Sequence, residues 1–292
     1  MTTSLKEAEE KGQKKRKANF IWRFRRNKLA VIGFCVVVVC VFIAAFANFL
    51  APTPYDVGNL TEARQPPSWG HVFGTDAVGR DYLSRIIYAT RTSIIVALGV
   101  QVITLSIGIS LGTLGGYLGG WVDQIVVRII EIATGIPALL IAMFIMGLLG
   151  HSMWNVIFAL GISGWVVETR ITRGQFLAFK EREFVIAAQA IGANRFRVAF
   201  RHIFPNIIPI LAVLLAFQVP AVIFNEAGLS FLGLGIDEPV PSLGKMISTS
   251  LGYVRTYWHM GLFPSLMIAI ITMGFTFVGD GLRDALDPTM NR

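Results

Sequence analysis

Six long apolar runs stand out in the pattern of hydrophobic and polar positions along this chain. They predict membrane-spanning helices at about residues 29–50, 92–118, 124–150, 154–168, 207–226 and 260–279, of which the fourth is short. A helix needs about 18 or more predominantly apolar residues to cross a bilayer. The pattern therefore predicts an all-α integral membrane protein with six transmembrane helices.

The basic residues between the runs predict how the chain is oriented. Of the 26 Lys and Arg residues, 10 lie between Lys6 and Lys28, directly before the first run. If this end is inside, an even number of spans puts the C-terminus inside as well. The inside segments then hold 20 Lys and Arg against 6 outside, as the positive-inside rule requires. Both the N-terminal segment 1–28 and the tail 282–292 are thus predicted to be cytoplasmic.

Composition agrees with a membrane protein and excludes a soluble enzyme. The chain is 54% hydrophobic and only 15% charged, against about a quarter charged in soluble domains. The net charge of +8 comes mainly from the N-terminal segment and does not indicate nucleic-acid binding. A cleaved signal peptide is the alternative for the first run, but this run is longer than the usual h-region. It is therefore predicted to be an uncleaved anchor.

The outer segment 51–91 is predicted to be a loop that carries one surface helix. Its first part is rich in proline and glycine, which favour turns. Residues 80–91 (RDYLSRIIYATR) have the apolar spacing of an amphipathic helix. We expect this helix to lie along the outer membrane surface.

Four glycines recur at a four-residue spacing in the second run: Gly108, Gly112, Gly116 and Gly120. Residues four apart share one face of a helix, and small residues let another helix approach closely. The ladder predicts a packing face, either within this bundle or against a second subunit, and the first of these is the simpler reading.

The cytoplasmic loop at residues 184–206 (FVIAAQAIGANRFRVAFRHIFPN) has the pattern of two short helices joined by a turn. Ala187, Ala188 and Ala190 leave little side-chain bulk on the first helix, and Gly192 permits a sharp turn. Pro205 is expected to close the second helix where the next span begins. This outline suits a docking element for a soluble partner, since a DNA-binding role is implausible between two spans.

Three arginines of the second helix are expected to project into the cytoplasm: Arg195, Arg197 and Arg201. One interpretation is that they face a partner protein or anionic headgroups. The other is that they serve topology alone, because inside loops carry arginine anyway.

This loop resembles the cytoplasmic "EAA" loop of binding-protein-dependent ABC importers. That pattern reads E-A-A, three residues, G, nine residues, I-x-L-P. Here Ala187 and Ala188 precede Gly192 by three residues, and Ile203 and Pro205 follow near the expected distance. Ile186 replaces the glutamate, His202 the isoleucine and Phe204 the leucine, so a salt bridge made by that glutamate is not expected here.

Three further stretches resemble the dipeptide/oligopeptide/nickel branch of these importers, specifically its second permease subunit. They are residues 73–81 (FGTDAVGRD), 229–235 (LSFLGLG) and 279–288 (GDGLRDALDP). The four motifs occur in the family's order, and the resemblance runs from about residue 22 to residue 288.

The resemblance implies a type I importer fold, with a first helix at 29–50, a core at 92–281 and a coupling loop at 184–206. It implies a homologous second permease, two ATPases that hold ATP and Mg²⁺, an extracytoplasmic binding protein, and no cofactor in this chain. Peptides are the implied substrate, with nickel, glutathione or oligosaccharide as alternatives. The implied ATPase-coupling residues are Ala187, Ala188, Ala190, Gly192, Ala193, Asn194, Arg195, Arg197, Arg201, His202 and Pro205.

Two other classes of function fit the sequence less well. A channel or secondary carrier needs charged or polar groups along its pathway, and the predicted spans offer few. An enzyme needs convergent catalytic residues, and the sequence has neither these nor a G-x-x-x-x-G-K-[ST] phosphate loop. The chain is therefore predicted not to be an enzyme.

Glu226 is the one carboxylate near the outer end of the fifth run. Because a charge facing lipid is costly, we expect it to face the bundle interior, a water-filled path or the outer interface. Two roles stay open: a residue of the translocation pathway or its outer gate, and a structural carboxylate that pins the outer loop through backbone N–H groups.

Overall fold

A computed structural model describes residue 20 and residues 22–286, and within them the regular elements are helices apart from one isolated bridge between Thr75 and Asp81. In chain order these helices are α1 (Lys28–Ala45), α2 (Ala47–Leu50), α3 (Tyr82–Thr113), α4 (Gly120–Thr134), α5 (Ala138–Leu149), α6 (Met153–Gly164), α7 (Val166–Lys180), α8 (Glu183–Ala190), α9 (Arg195–Arg197), α10 (Phe204–Phe231), α11 (Leu243–Ser250) and α12 (Trp258–Leu286). Most of the basic segment 1–28, residues 287–292 of the tail and the last two residues of the 279–288 motif lie outside the described residues.

Four stretches of the described chain are long and apolar enough to cross a membrane. They are α1, α3 with the π-helical turn that extends it to Leu118, the run Arg195–Phe231 that contains α10, and α12. Helices α4 and α5 meet this criterion only together, with a bend of 75° between them, and would make a fifth span. The predicted fourth span, 154–168, corresponds to α6, which has only 12 residues.

Helix α3 is much longer than the sequence pattern predicted, and this corrects the expected surface helix at residues 80–91. The chain is continuously helical from Tyr82 through Thr113, a length of 32 residues. No proline interrupts this stretch, and Asp81 caps its start by accepting a hydrogen bond from the Ser84 N–H at 2.8 Å. The amphipathic segment is therefore the first part of one long apolar helix and does not lie apart from it. The terms outer and inner are used below for the two ends that the predicted topology places outside and inside.

Glycines bring α3 into close contact with α6 and α7. A Cβ atom added at Gly112 would lie 2.6 Å from Cβ of Thr172, and one at Gly116 would lie 2.7 Å from Cβ of Phe176. The two residues of each pair are 60 positions apart in the chain, so α3 with its π-helical extension runs parallel to α7 in one register. The bundle therefore depends on glycine at these positions, because any larger residue would push the helices apart.

Of the other two members of the predicted glycine ladder, one follows this pattern and one does not. Gly108 makes the same kind of contact, against Glu168 and Thr169. Gly120 does not, because the helix breaks at Gly119, where φ is +68°, and Gly120 starts α4 with open space around it. The predicted packing face thus ends at Gly116.

Helix α12, the last described helix, packs against α1. Asn27 Nδ2 donates a hydrogen bond of 3.0 Å to Asp284 Oδ2, and Asn27 Oδ1 accepts one of 3.1 Å from the Ala30 N–H. A Cβ atom on Gly274 would lie 2.8 Å from a methyl group of Val36. Asp284 of the 279–288 motif therefore helps to fix the start of α1 against α12.

We predict that Gly112→Ala destabilises the bundle, although alanine is the better helix former by about 1 kcal/mol. The added methyl group would overlap α7, and overpacking costs about 1–3 kcal/mol or more. Gly174→Ala on α7 is the matched control, because nothing lies within 4 Å of that position. Thermal unfolding in detergent should show a lower midpoint for Gly112→Ala alone, and equal midpoints for the two variants would contradict the packing assignment.

Candidate functional site

The loop at residues 184–206, which is predicted to be cytoplasmic and is here called the coupling segment, has its turn fixed by backbone hydrogen bonds. The Ala193 N–H donates to the Ala188 carbonyl at 3.0 Å, and the Gly192 N–H donates to the Gln189 carbonyl at 3.0 Å. Gly192 has φ of +85° with open space around it. This is the Schellman ending of a helix, in which glycine supplies the left-handed residue.

The helix after the turn begins at a capped end. Asn194 Oδ1 accepts a hydrogen bond of 2.8 Å from the Arg197 N–H, as an N-cap residue does. The chain then stays helical from Arg195 to Phe231 through a π-helical turn at Val198–Ile203. The two expected features, a separate short second helix and its closure at Pro205, are thus corrected.

The widened π turn explains why Pro205 does not end this helix. Proline lacks the N–H that an α-helix uses, and its ring clashes with the carbonyl four residues earlier. Here that carbonyl belongs to Arg201, which lies within the π turn where the α-helical pattern is already interrupted. Pro205 occupies the first turn of α10, where a missing N–H is tolerated.

The coupling segment buries one side and exposes the other. Val185 and Ala188 pack with Val198 and Ile203 in a hydrophobic cluster that also contains Phe176 of α7. The implied coupling residues that are exposed are Ala187, Ala190, Gly192, Asn194, Arg195, Arg197, Arg201 and Pro205, while Ala193 and His202 are half-buried. The buried side holds the turn rigidly on the bundle.

An exposed apolar surface on this segment was not identified from the sequence. Ile191 is 87% exposed at the tip of the turn, and Ile186 and Phe196 are exposed beside it. The Phe196 ring packs at 4.5 Å from that of Phe200, which is also exposed. We call Ile186, Ile191, Phe196 and Phe200 the knob surface. The four-residue spacing of Phe196, Phe200 and Phe204 is the sequence signal that could have revealed it.

Glu226 lies inside the protein near the outer end of α10, with 1% of its surface exposed. Its Oε1 atom accepts hydrogen bonds from Ser230 Oγ at 2.9 Å and from Ser242 Oγ at 2.7 Å. Ser242 Oγ also accepts from the Lys245 N–H and so caps α11. The carboxyl group thus fastens α11 to α10 through hydroxyl groups, where the structural interpretation expected backbone N–H groups.

A cluster of four charged side chains ties the outer loops together and was missed in the sequence. Arg80 Nε lies 2.6 Å from Asp76 Oδ2, and Arg80 Nη1 lies 2.6 Å from Glu238 Oε2. Arg85 Nη2 lies 3.1 Å from Glu238 Oε1. No local pattern could reveal this pairing, because Glu238 is about 150 residues from its partners.

This charged cluster accounts for the chemistry of the 73–81 motif. One Asp76 carboxylate oxygen accepts hydrogen bonds of 2.9 Å from the Val78 and Arg80 N–H groups. Burial lowers the pKa of the Arg80 guanidinium, but its hydrogen bonds and charge attraction to Asp76 and Glu238 raise that pKa by more. Arg80 therefore stays charged and holds the outer loop to the segment after α10.

Comparison with known proteins decides the family. Residues 105–292 match the binding-protein-dependent transport system inner membrane component, and residues 18–67 match the N-terminal TM domain of oligopeptide transport permease C. The chain belongs to the binding-protein-dependent transport permease family. The family predicted from the four motifs is thus confirmed, and with it a multi-pass membrane component of an ABC importer.

Several relatives of this permease match it over most of its length. It is 41% identical to the oligopeptide transport system permease protein OppC of Bacillus subtilis over 271 residues. These residues make up 92% of this chain and 88% of the relative. It is 40% identical to the dipeptide transport system permease protein DppC of the same organism, over 92% and 85% of the two chains. It is 34% identical to the glutathione transport system permease protein GsiD of Pectobacterium atrosepticum, over 92% and 89%.

We predict that Glu226→Ala loosens the outer segment at residues 232–250. Two buried hydroxyl groups would lose their acceptor, at a cost of about 1–3 kcal/mol, whereas Glu226→Gln keeps an acceptor oxygen. Proteolysis of the folded permease should cut this segment faster in Glu226→Ala than in Glu226→Gln. Thr249→Ala is the control, because its hydroxyl bonds only within α11. Normal protease protection together with lost transport would instead favour a role in the pathway.

Proposed function

We propose that this chain is the second permease subunit of an ABC importer for di- or oligopeptides. It would form half of the pathway with a homologous permease, receive substrate from an extracytoplasmic binding protein, and be driven by two cytoplasmic ATPases that hold the ATP and Mg²⁺. The observation that carries the proposal is the knob surface, an exposed apolar tip held by a fixed turn on the inner side of the bundle of a transport permease. Such a surface is suited to insertion into a groove of a partner.

The proposed topology has six spans with both termini in the cytoplasm. Its support is the parallel contact between α3 and α6–α7: the outer end of α3 aligns with α6, and its inner end aligns with α7. The chain leaves α6 at Gly164 and resumes helix at Val166, so α6 and α7 together can cross the bilayer as one bent helix. With α4 and α5 as another, the span count is even.

Peptide is the proposed substrate because the most similar relatives carry the names oligopeptide and dipeptide permease. The glutathione permease among the relatives makes glutathione, itself a small peptide, the second candidate. Nickel and oligosaccharide stay as alternatives without support from these names. The test is ATP-dependent uptake of labelled tripeptide, glutathione or Ni²⁺ into proteoliposomes that hold the whole importer.

We predict that Gly192→Val lowers both transport and the ATPase activity stimulated by the binding protein. A β-branched residue is strained at the left-handed φ of this turn, and its bulk would hold the partner away. Gly150→Val is the matched control, because Gly150 also has a left-handed φ of +83° and open space, but lies at the outer end of α5. Normal transport by well-expressed Gly192→Val would defeat the proposed coupling role.

The knob surface and the arginines should respond differently to salt. Ile191→Ser removes exposed apolar area, so we predict weaker copurification of the ATPases at low and high salt alike. Arg201→Glu should weaken copurification most at low salt if the arginine contacts the partner, because screening reduces charge effects. Unchanged yield for Arg201→Glu at every salt concentration would leave this arginine only a topological role.

A further inference from the structure

The hydrophobic interior of the permease is divided into two parts. The outer cluster includes Leu160 of α6 and Val219 of α10. The inner cluster joins α7, the coupling segment and the first turns of α10, as far as Leu211. Within the described residues these two clusters do not merge, so the interior can change shape where they meet.

Polar side chains from three helices occupy the level between the two clusters. Thr104 and Gln101 of α3 and Glu168 of α7 are buried there, and Gln218 of α10 is half-buried beside them. Polar groups are costly in the interior of a membrane protein unless they are paired. Their concentration at one level therefore requires a reason other than packing.

Among the described residues, Glu168 links α7 to α10 at this level by a hydrogen bond. Its side chain is buried with 1% exposure, and its Oε1 atom accepts a hydrogen bond of 3.3 Å from Gln218 Nε2. Its Oε2 atom is buried and accepts no hydrogen bond of normal geometry, while the Thr104 side chain of α3 also interacts with this carboxyl group. No role assigned so far to the coupling segment or the outer loops uses this carboxyl group.

Each end of this hydrogen bond lies beside a place where the backbone hydrogen bonds of its helix are interrupted, here called a break, although α10 stays helical through its own. On one side, α6 ends at Gly164 and α7 begins at Val166, less than one turn before Glu168. On the other side, Pro220 inside α10 cannot donate to the carbonyl of Ala216, so the turn that contains Gln218 lacks a hydrogen bond. Helices bend at such breaks more easily than elsewhere.

The two helices that Glu168 joins are those that flank the coupling segment. Helix α7 leads into it, and α10 leads out of it. A force on the knob surface therefore reaches the membrane through both helices at once. The inner cluster joins the two helices as far as Leu211, and the bond from Glu168 joins them at the level of the breaks, where each helix could otherwise bend separately.

We propose that Glu168 is a positioning residue for transport, whose hydrogen bond to Gln218 makes α7 and the inner half of α10 swing as one unit about the breaks at Trp165 and Pro220. The inner cluster makes this unit rigid. The outer cluster and the outer loops form the body against which it moves. The proposal rests on the proposed function, because it concerns how ATPase movement is transmitted.

The test is the amount of peptide imported per ATP hydrolysed by the complete importer in proteoliposomes. Glu168→Leu and Gln218→Leu should each lower this ratio at least about fivefold while ATP hydrolysis continues, and the double variant should lower it no further, as expected for two residues in one interaction. Glu168→Gln keeps an acceptor oxygen for Gln218 and should restore the ratio. Complexes of normal ATPase content and thermal stability show that the variants are folded.

Thr172→Val is the matched control, because the Thr172 hydroxyl is buried one turn further along α7 and has no hydrogen-bond partner. It should import like the unaltered protein. Three results would overturn the proposal: an unchanged ratio in Glu168→Leu, additive losses in the double variant, or a loss in Glu168→Gln as large as in Glu168→Leu.

A second measurement separates this proposal from the proposed substrate. A fluorophore on Phe231→Cys, at the exposed outer end of α10, reports movement there when ATP and vanadate trap the ATPases closed, with Cys35 and Cys40 replaced by alanine. The signal change should be lost in Glu168→Leu and kept in Thr172→Val, whatever the cargo is. If the unaltered importer shows this signal but takes up no peptide, the substrate is wrong and the positioning role stands.

Discussion

The contact through glycine between two parallel helices, α3 and α6–α7, is the constraint on which the arrangement of this permease depends. A helix pair in a membrane gains little from the hydrophobic effect, because lipid is as apolar as the side chains, so close packing must hold it together. Here Gly112 and Gly116 let α7 lie directly on α3. Because α7 ends in the coupling segment, this contact sets where the knob surface stands beneath the membrane.

Polar contacts also hold the helices and loops together, and they lie at different depths in the protein. At the outer side, Glu226 holds α11, and the pair of Arg80 with Glu238 holds the loops that surround it. At mid-depth, Glu168 bridges α7 and α10. In a bilayer a buried group such as Glu168 has few alternative partners, so it strongly favours one arrangement of the helices that it joins.

The sequence was sufficient for the family, the all-helical fold and the location of most spans, because these depend on local hydrophobicity and on contiguous motifs. It was insufficient wherever a contact joins distant segments. The pairing of Arg80 with Glu238 is one example, and the bridge from Glu168 to Gln218 is another. Continuity was also misjudged: residues 80–91 looked amphipathic because the buried outer end of α3 packs against polar loops and not against lipid. The coupling residues and their roles stay predictions until variants are measured.

Ile186 bears on how a cell that has several importers pairs each permease with its own ATPase subunits. Where the family pattern has a carboxylate, this permease presents an exposed aliphatic side chain. An ATPase whose groove offers a cation at that point would bury the cation without a counter-charge, which is costly. We therefore expect the ATPase subunits of this importer to bind this permease selectively. ATPases that bind permeases with a carboxylate at this position should replace them poorly. One residue would then prevent the exchange of ATPase subunits between otherwise similar importers.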